Sequence, residues 1–250
     1  MKRITFCLFT TNDDKLEQGR LLVCLNSLLN QDTDESKIIF FDCTPKPNTF
    51  KLPKHEDLTV IHHPIKDFAK FNRSVIRNNM AVKVDTEFMC QTCADVCFSP
   101  NFASTLINKM GKEKKMLICH RRLLGEKDWD RIRKTENPID EISKVWNKIR
   151  LNKYKYANDD YAGAVGECQC MNTKHFIKIG GYYQLIENGV PTEGSWSATA
   201  AKDDTNLGNF YRYNNIKMGT IEKEPDVWLV HLWHGIRINA RKWNTKDPQG

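Results

Sequence analysis

Four groups of side chains in this chain have types and spacings that suit chemistry. The first is Asp95, at the end of the run Glu87-Phe88-Met89-Cys90-Gln91-Thr92-Cys93-Ala94-Asp95. Residues 87–92 are short and mostly apolar, which predicts a buried strand running into a turn. Asp95 then stands where the strand ends. Open α/β sheets bind ligands at the carboxyl ends of their strands, so a lone carboxylate there is placed to hold a cation. The plainer alternative is that it caps the next turn. The second group is Asp203-Asp204, after a loop and at the start of a predicted helix, where a carboxylate is often only a cap. The third is His231 and His234 in Val-His-Leu-Trp-His-Gly, which taken alone read as ordinary core and surface histidines. The fourth is Cys90, Cys93 and Cys97, whose spacing suits a metal or iron–sulfur centre. Residues on a strand alternate faces and would not converge, and Cys168-x-Cys170 is a poor match for a second ligand pair. Core packing is the preferred reading of these thiols.

The elements that must position these groups alternate between strand and helix. Residues 3–10 form a β-rich run that breaks at Thr11-Asn12-Asp13, and Asn12 or Asp13 can cap a helix carrying Leu21, Leu22, Leu25, Leu28 and Leu29. Residues 37–43 give a second strand containing Asp42, and residues 58–62 a third. Residues 68–84 read as a helix with Phe71, Val75, Ile76 and Met80 on one face and Arg73 and Arg77 on the other. The Asp95 strand follows, then a helix over 100–110, started by Ser99-Pro100, and a strand over 116–120. This order predicts a parallel, doubly wound sheet. Beyond it, residues 128–150 read as a charged helix with an apolar stripe of Ile139, Ile142, Val145, Trp146 and Ile149. Residues 167–172 return to the sheet, 187–199 form a loop, 202–213 a helix and 227–233 a last strand. There is no internal repeat and no low-complexity tract.

Composition bounds the function. With 250 residues, 40% hydrophobic and 28% charged, the chain matches a soluble globular protein able to bury a full core. No apolar run approaches the roughly 18 residues of a membrane span, and the start lacks a signal-peptide cleavage site. Several of the nine cysteines lie in apolar runs (Cys7, Cys24, Cys90, Cys119), where they act as small hydrophobes, and this predicts a reducing, cytoplasmic setting. The net charge of +7 is concentrated: residues 109–155 hold 15 Lys and Arg against 7 Asp and Glu. The turn after the first strand, Thr10-Thr11-Asn12-Asp13-Asp14-Lys15, has no glycine before Gly19. That argues against a nucleotidyltransferase phosphate loop, and the missing G-x-G-x-x-G argues against an NAD-dependent enzyme.

Five further features follow in order: Arg-Asn-Asn at 77–79, Ala-Asp-Val at 94–96, Ile-Gly-Gly-Tyr at 179–182, Asp-Asp-Thr-Asn-Leu at 203–207 and His-Leu-Trp-His at 231–234. The order resembles GT-A fold glycosyltransferases, particularly family 2-like enzymes with a galactosyltransferase-like C-terminal half. The resemblance runs from about residue 3 to 243. It implies one α/β GT-A domain over 1–250, with a nucleotide-sugar-binding half at 1–100 and an acceptor-binding, catalytic half at 101–250. Where that family has Asp-x-Asp, this chain has Cys93-Ala94-Asp95, so the first acid, which the resemblance assigns to the ribose, is missing. Asn206 likewise replaces an acid of the second signature.

The resemblance implies a metal-dependent transfer of a sugar from a nucleotide sugar, a UDP-sugar first, to an acceptor hydroxyl, with inversion. Asp95 with His234 or His231 would hold Mn²⁺ or Mg²⁺, and His234 is favoured because Gly235 beside it lets backbone and ligand approach closely. Asp204 would be the base and Asp203 would orient the acceptor. Thr10, Thr11, Asp42, Ala94 and Gly181 would line the donor, and Arg77 would contact base or diphosphate through its planar fork, a solvated helix face being its alternative. The rivals are an inactive GT-A-like binding module, suggested by Cys93, and a nucleotidyltransferase. The basic segment predicts a polyanionic acceptor such as DNA with a modified base, or a glycan or lipid-linked glycan. Its apolar stripe either docks on an anionic membrane or packs on the core.

Overall fold

The structure, a computed structural model, describes residues 1–11, 15–47, 51–65, 73–111, 116–149, 168–182, 186–187, 190–191, 216, 218–221 and 223–233. Its elements run β1 (Ile4–Thr10), α1 (Lys15–Leu29), β2 (Ser36–Asp42), β3 (Leu58–His62), α2 (Arg73–Ala81), β4 (Phe88–Thr92), β5 (Val96–Phe98), α3 (Phe102–Met110), β6 (Met116–Ile118), β7 (Arg122–Leu123), α4 (Glu126–Ile132), α5 (Pro138–Val145), β8 (Cys168–Asn172), α6 (Thr173–Lys178), β9 (Ile186–Glu187), β10 (Val190–Pro191), β11 (Met218–Thr220) and β12 (Leu229–His231).

A seven-stranded sheet has the order β11-β6-β8-β4-β1-β2-β3. Its pairs are parallel except where β8 runs antiparallel to β4 and to β6. Strand alternation gives each face its own core. Ile4, Phe6 and Leu8 of β1 pack with Leu21, Leu25 and Leu28 of α1 and Phe102 and Leu106 of α3. On the other face, Cys7 of β1 packs with Ile39 and Phe41 of β2 and with Ile76 and Met80 of α2. Burial on both faces explains why β1 and β2 read as continuous apolar runs. The sheet is the mostly parallel α/β sheet that the sequence predicts.

Two features of the topology bear on where a site would lie. Strands β2 and β4 flank β1 on opposite sides, so the chain winds away from β1 in both directions, and the carboxyl ends of strands at such a switch point are where open α/β sheets bind ligands. Beside it, a three-stranded sheet of order β5-β12-β7 joins the two halves of the chain.

Several expectations need correction. Residues 128–150 are not one helix: Asn137 accepts a hydrogen bond from the Asp140 N–H and Pro138 fills the first turn, so a new helix, α5, starts there. A 3-10 turn over Trp146–Lys148 follows it. The stripe packs inward, Ile142 being buried and Ile139, Val145, Trp146 and Ile149 lying against the cluster of Val23, Trp129, Ile132 and Trp228. Helix α3 begins at Phe102, and Ser99 is not its cap; its hydroxyl oxygen accepts from the Trp228 N–H at 3.2 Å. The expected loop over 187–199 contains strand residues paired as β9 and β10. The helix expected over 202–213 lies outside the described residues.

Candidate functional site

Strand β4 delivers the chain to a tight turn at Ala94-Asp95, after which β5 leaves the main sheet and pairs antiparallel with β12. The pairing sets His231 opposite Val96, and one further bond, Leu232 N–H to the Asp95 carbonyl at 2.8 Å, extends it. The result is that His231 Nε2 lies 3.2 Å from Asp95 Oδ2, with side-chain exposures of 14% and 18%. Residues 136 apart in sequence meet here because β12 returns to β5. The histidine that the structure places beside Asp95 is thus His231. His234, the favoured partner in the sequence reading, lies outside the described residues.

A carboxylate oxygen and a neutral imidazole nitrogen form a donor set suited to a divalent cation. Two donors side by side on such an ion, each at about 2.1–2.2 Å, are about 3 Å apart. The observed 3.2 Å therefore fits a shared cation, and both side chains keep some exposure to solvent. Among the described residues no third His, Cys, Asp or Glu joins them. The same distance also suits a direct hydrogen bond when His231 carries a proton.

The candidate donor residues lie along the same sheet edge. Thr10 and Asp42 end β1 and β2 in register, both nearly buried, and the Cys43 N–H bonds the Thr10 carbonyl at 2.9 Å. Asp42 Oδ1 accepts from Thr44 Oγ1 at 2.6 Å and Thr44 N–H at 3.2 Å, so this carboxylate also shapes the loop leaving β2. Thr11 is half-buried just beyond the strand, and Ala94 is buried in the turn beside Asp95.

Arg77 is not on a solvated helix face. It is 1% exposed and faces inward from α2 with Ile76 and Met80, whereas Val75 is only half-buried. Its guanidinium lies 5.2 Å from the Tyr182 ring centroid, a cation–π contact, and its carbonyl accepts from Gln91 Nε2 at 3.2 Å. The Tyr182 hydroxyl in turn bonds Gln169 Oε1 on β8. Gly180 and Gly181 have φ of +86° and +75°, which glycine alone adopts readily. Their turn is fastened to α2 by two bonds from one side chain: Tyr182 N–H to Asn78 Oδ1 at 2.8 Å and Asn78 Nδ2 to the Tyr182 carbonyl at 3.0 Å. A Cβ on Gly181 would come 2.9 Å from Asn78 Cγ. Asn78 of Arg-Asn-Asn and Tyr182 of Ile-Gly-Gly-Tyr, 104 residues apart, thus join the two motifs, a contact that no local sequence pattern contains.

Asp203 and Asp204 lie outside the described residues. All nine cysteines are free, eight of them buried and Cys93 half-buried. Burial pushes Cys97 up to about 12 and Cys90 well above its ordinary value, as expected of thiols packed in a core.

No protein-family model matches the chain, and no curated protein sequence matches it. Solved structures do. A mannosyltransferase, PcManGT from Pyrobaculum calidifontis, in complex with GDP-Man and Mn²⁺, superposes with a TM-score of 0.57 at 16% identity over 96% of this chain. TarS 1–349 from S. aureus, in complex with UDP-GlcNAc, superposes with a TM-score of 0.57 at 13% identity over 95% of this chain. The chain spans 59% and 61% of the length of those two solved chains. At such identity the likeness is one of fold: this chain has the GT-A fold.

Proposed function

We propose that the chain is a nucleotide-sugar-dependent glycosyltransferase acting as one GT-A unit, with the donor held mainly by residues 1–100 and the acceptor by 101–250. The observation that carries this reading is the meeting of Asp95 with His231 at the carboxyl edge of the GT-A sheet. The GDP-Man and Mn²⁺ in the PcManGT complex and the UDP-GlcNAc in the TarS complex support the donor class and the cation. We take a UDP-sugar as donor and Mn²⁺ or Mg²⁺ as the ion.

In this reading Asp95 and His231 hold the cation. When bound, it offsets as a Lewis acid the negative charge that builds on the diphosphate oxygens as the sugar departs. Thr10, Thr11, Asp42 and Ala94 line the nucleoside side, and Gly181 lets the backbone approach the donor. Arg77, whose guanidinium lies over the Tyr182 ring, is taken as the contact to the base or diphosphate. Asp204 accepts the proton from the attacking acceptor hydroxyl while Asp203 orients it, so the sugar–phosphate bond breaks as the new glycosidic bond forms, with inversion. His234 serves as a further ligand.

For the acceptor we take a polyanion, DNA with a modified base being the specific case and a glycan the alternative. The charge surplus of residues 109–155 supports it, although Arg131, Arg133 and Lys144 pair with Asp128, Asp130 and Glu141. Exposed Lys127, Lys134 and Lys148 then carry the test: reversing their charge should flatten the salt dependence of DNA retention by roughly one log-log unit per lost phosphate contact. Nine free thiols support a cytoplasmic setting. Among the described residues no helix is long and apolar enough to cross a membrane.

The test is a panel of nucleotide sugars incubated with the protein, with and without Mn²⁺, while nucleoside diphosphate release is measured. Slow, Mn²⁺-dependent hydrolysis of one donor supports the reading. Cys93 in place of an acid favours one rival, an inactive nucleotide-sugar-binding module. Calorimetric donor binding with no release in any condition would select that rival.

A further inference from the structure

Helix α1 turns a polar stripe toward the two segments that meet at the site. Arg20, Cys24 and Ser27 recur at i, i+4 and i+7, one face of a helix, and Gln31 continues the line just past its end. Each makes a bond across to one of those segments. Arg20 Nη1 donates to the Trp233 carbonyl at 3.3 Å, two residues beyond His231. Cys24 Sγ donates to the Cys93 carbonyl at 3.5 Å, two residues before Asp95. Ser27 Oγ accepts from the Phe98 N–H at 3.2 Å. Gln31 lies further off, accepting from the Ala103 N–H at 2.7 Å and donating to the Ser99 carbonyl at 3.0 Å. One helix face thus grips the outer flank of both chain segments, while Leu232 N–H to the Asp95 carbonyl ties their inner flanks together.

Arg20 is the unusual member of the stripe. It is 5% exposed, a position where a charge is costly unless paired and hydrogen-bonded. Glu17, one turn back, accepts from Nη2 at 2.5 Å and balances the charge. The planar fork serves a carboxylate on its own helix and a carbonyl on the His231 segment at once, which a lysine's single ammonium on a flexible stem does less rigidly.

We propose that Arg20 is a positioning residue: acting through the Trp233 carbonyl, it holds His231 at its distance from Asp95 and so sets the affinity of that pair for a divalent cation. This rests on the cation reading above. Groups that orient ligands from behind are typically worth 10–100-fold in metal affinity. The test uses the full chain with Arg20→Met, Arg20→Lys and, as a control for general loosening of α1, Gln31→Ala. Mn²⁺ alone is titrated and free Mn²⁺ is followed by electron paramagnetic resonance. Exchange of the Leu232 amide hydrogen is followed by NMR without metal. Arg20→Met should weaken Mn²⁺ binding by roughly tenfold or more and speed Leu232 exchange by a similar factor. Arg20→Lys should fall between it and the wild type, and serves alone if the Met variant does not fold. Gln31→Ala should change neither reading. Wild-type Mn²⁺ affinity or wild-type Leu232 protection in the Arg20 variants overturns the proposal, as do equal losses in Gln31→Ala. If the wild-type chain takes up no Mn²⁺, the cation reading falls, and the Leu232 amide alone decides whether Arg20 positions the segment.

Discussion

His231 beside Asp95 shows how far single residues were legible in the sequence. Asp95 stood out because a carboxylate follows a short buried run, and the order of later motifs singled out both histidines. That His231 meets Asp95 follows from the register of β12 on β5, which no local pattern contains. Arg77 illustrates the same limit: helical spacing put it opposite the apolar stripe, yet Tyr182, 105 residues later, supplies the ring that lets it be buried. Gly181 is the residue for which the sequence and the structure agree most simply. Its φ of +75° and the Asn78 side chain beside it leave no room for a Cβ. Gly181→Ala should therefore destabilise the fold by about 1–3 kcal/mol, the usual cost of a strained backbone position. Urea unfolding measures this directly, and an unchanged midpoint would mean that the turn relaxes freely.

Among the elements, the long ones were readable and the short ones were not. Strands β1, β2 and β4 are buried on both faces, so their composition alone marks them. Strands β5, β7 and β11 have three, two and three residues, too few for a period to emerge, and their partners are distant in sequence. Yet β5 carries the site, since it anchors the Asp95 turn to the core. Phe98 fixes it there, fully buried, with ring centroids 5.9 Å from Phe6 and 4.8 Å from Phe102. Phe98→Ala should cost about 3–5 kcal/mol by cavity formation, measured by denaturant unfolding. A loss below about 1 kcal/mol would show that β5 is not held by this cluster.

At the scale of the whole molecule, the α/β class and the winding were legible because strand and helix patterns alternate along the first half. The smaller sheet that joins the halves was not, because it is made of three short strands drawn from three regions. The buried thiols have a global consequence. Burial pushes Cys7, Cys43 and Cys97 from 9.0 to about 12. Their folded values lie above their unfolded ones, so their contribution to stability is intact below pH 9 and is lost as pH rises toward 12. Unfolding free energy should fall across that window, and replacing Cys97 by Ala or Val should lessen the slope; an unchanged slope would contradict the assignment. The central claim is that Asp95 and His231 serve one cation that acts on a nucleotide sugar. The most direct test is a double-mutant cycle on Mn²⁺-dependent donor hydrolysis with Asp95→Ala, His231→Ala and the pair. Groups that act as a unit are strongly non-additive, so each single change should abolish nearly all activity and the double should lose little more. Losses that multiply, or hydrolysis that persists in EDTA, would contradict the account.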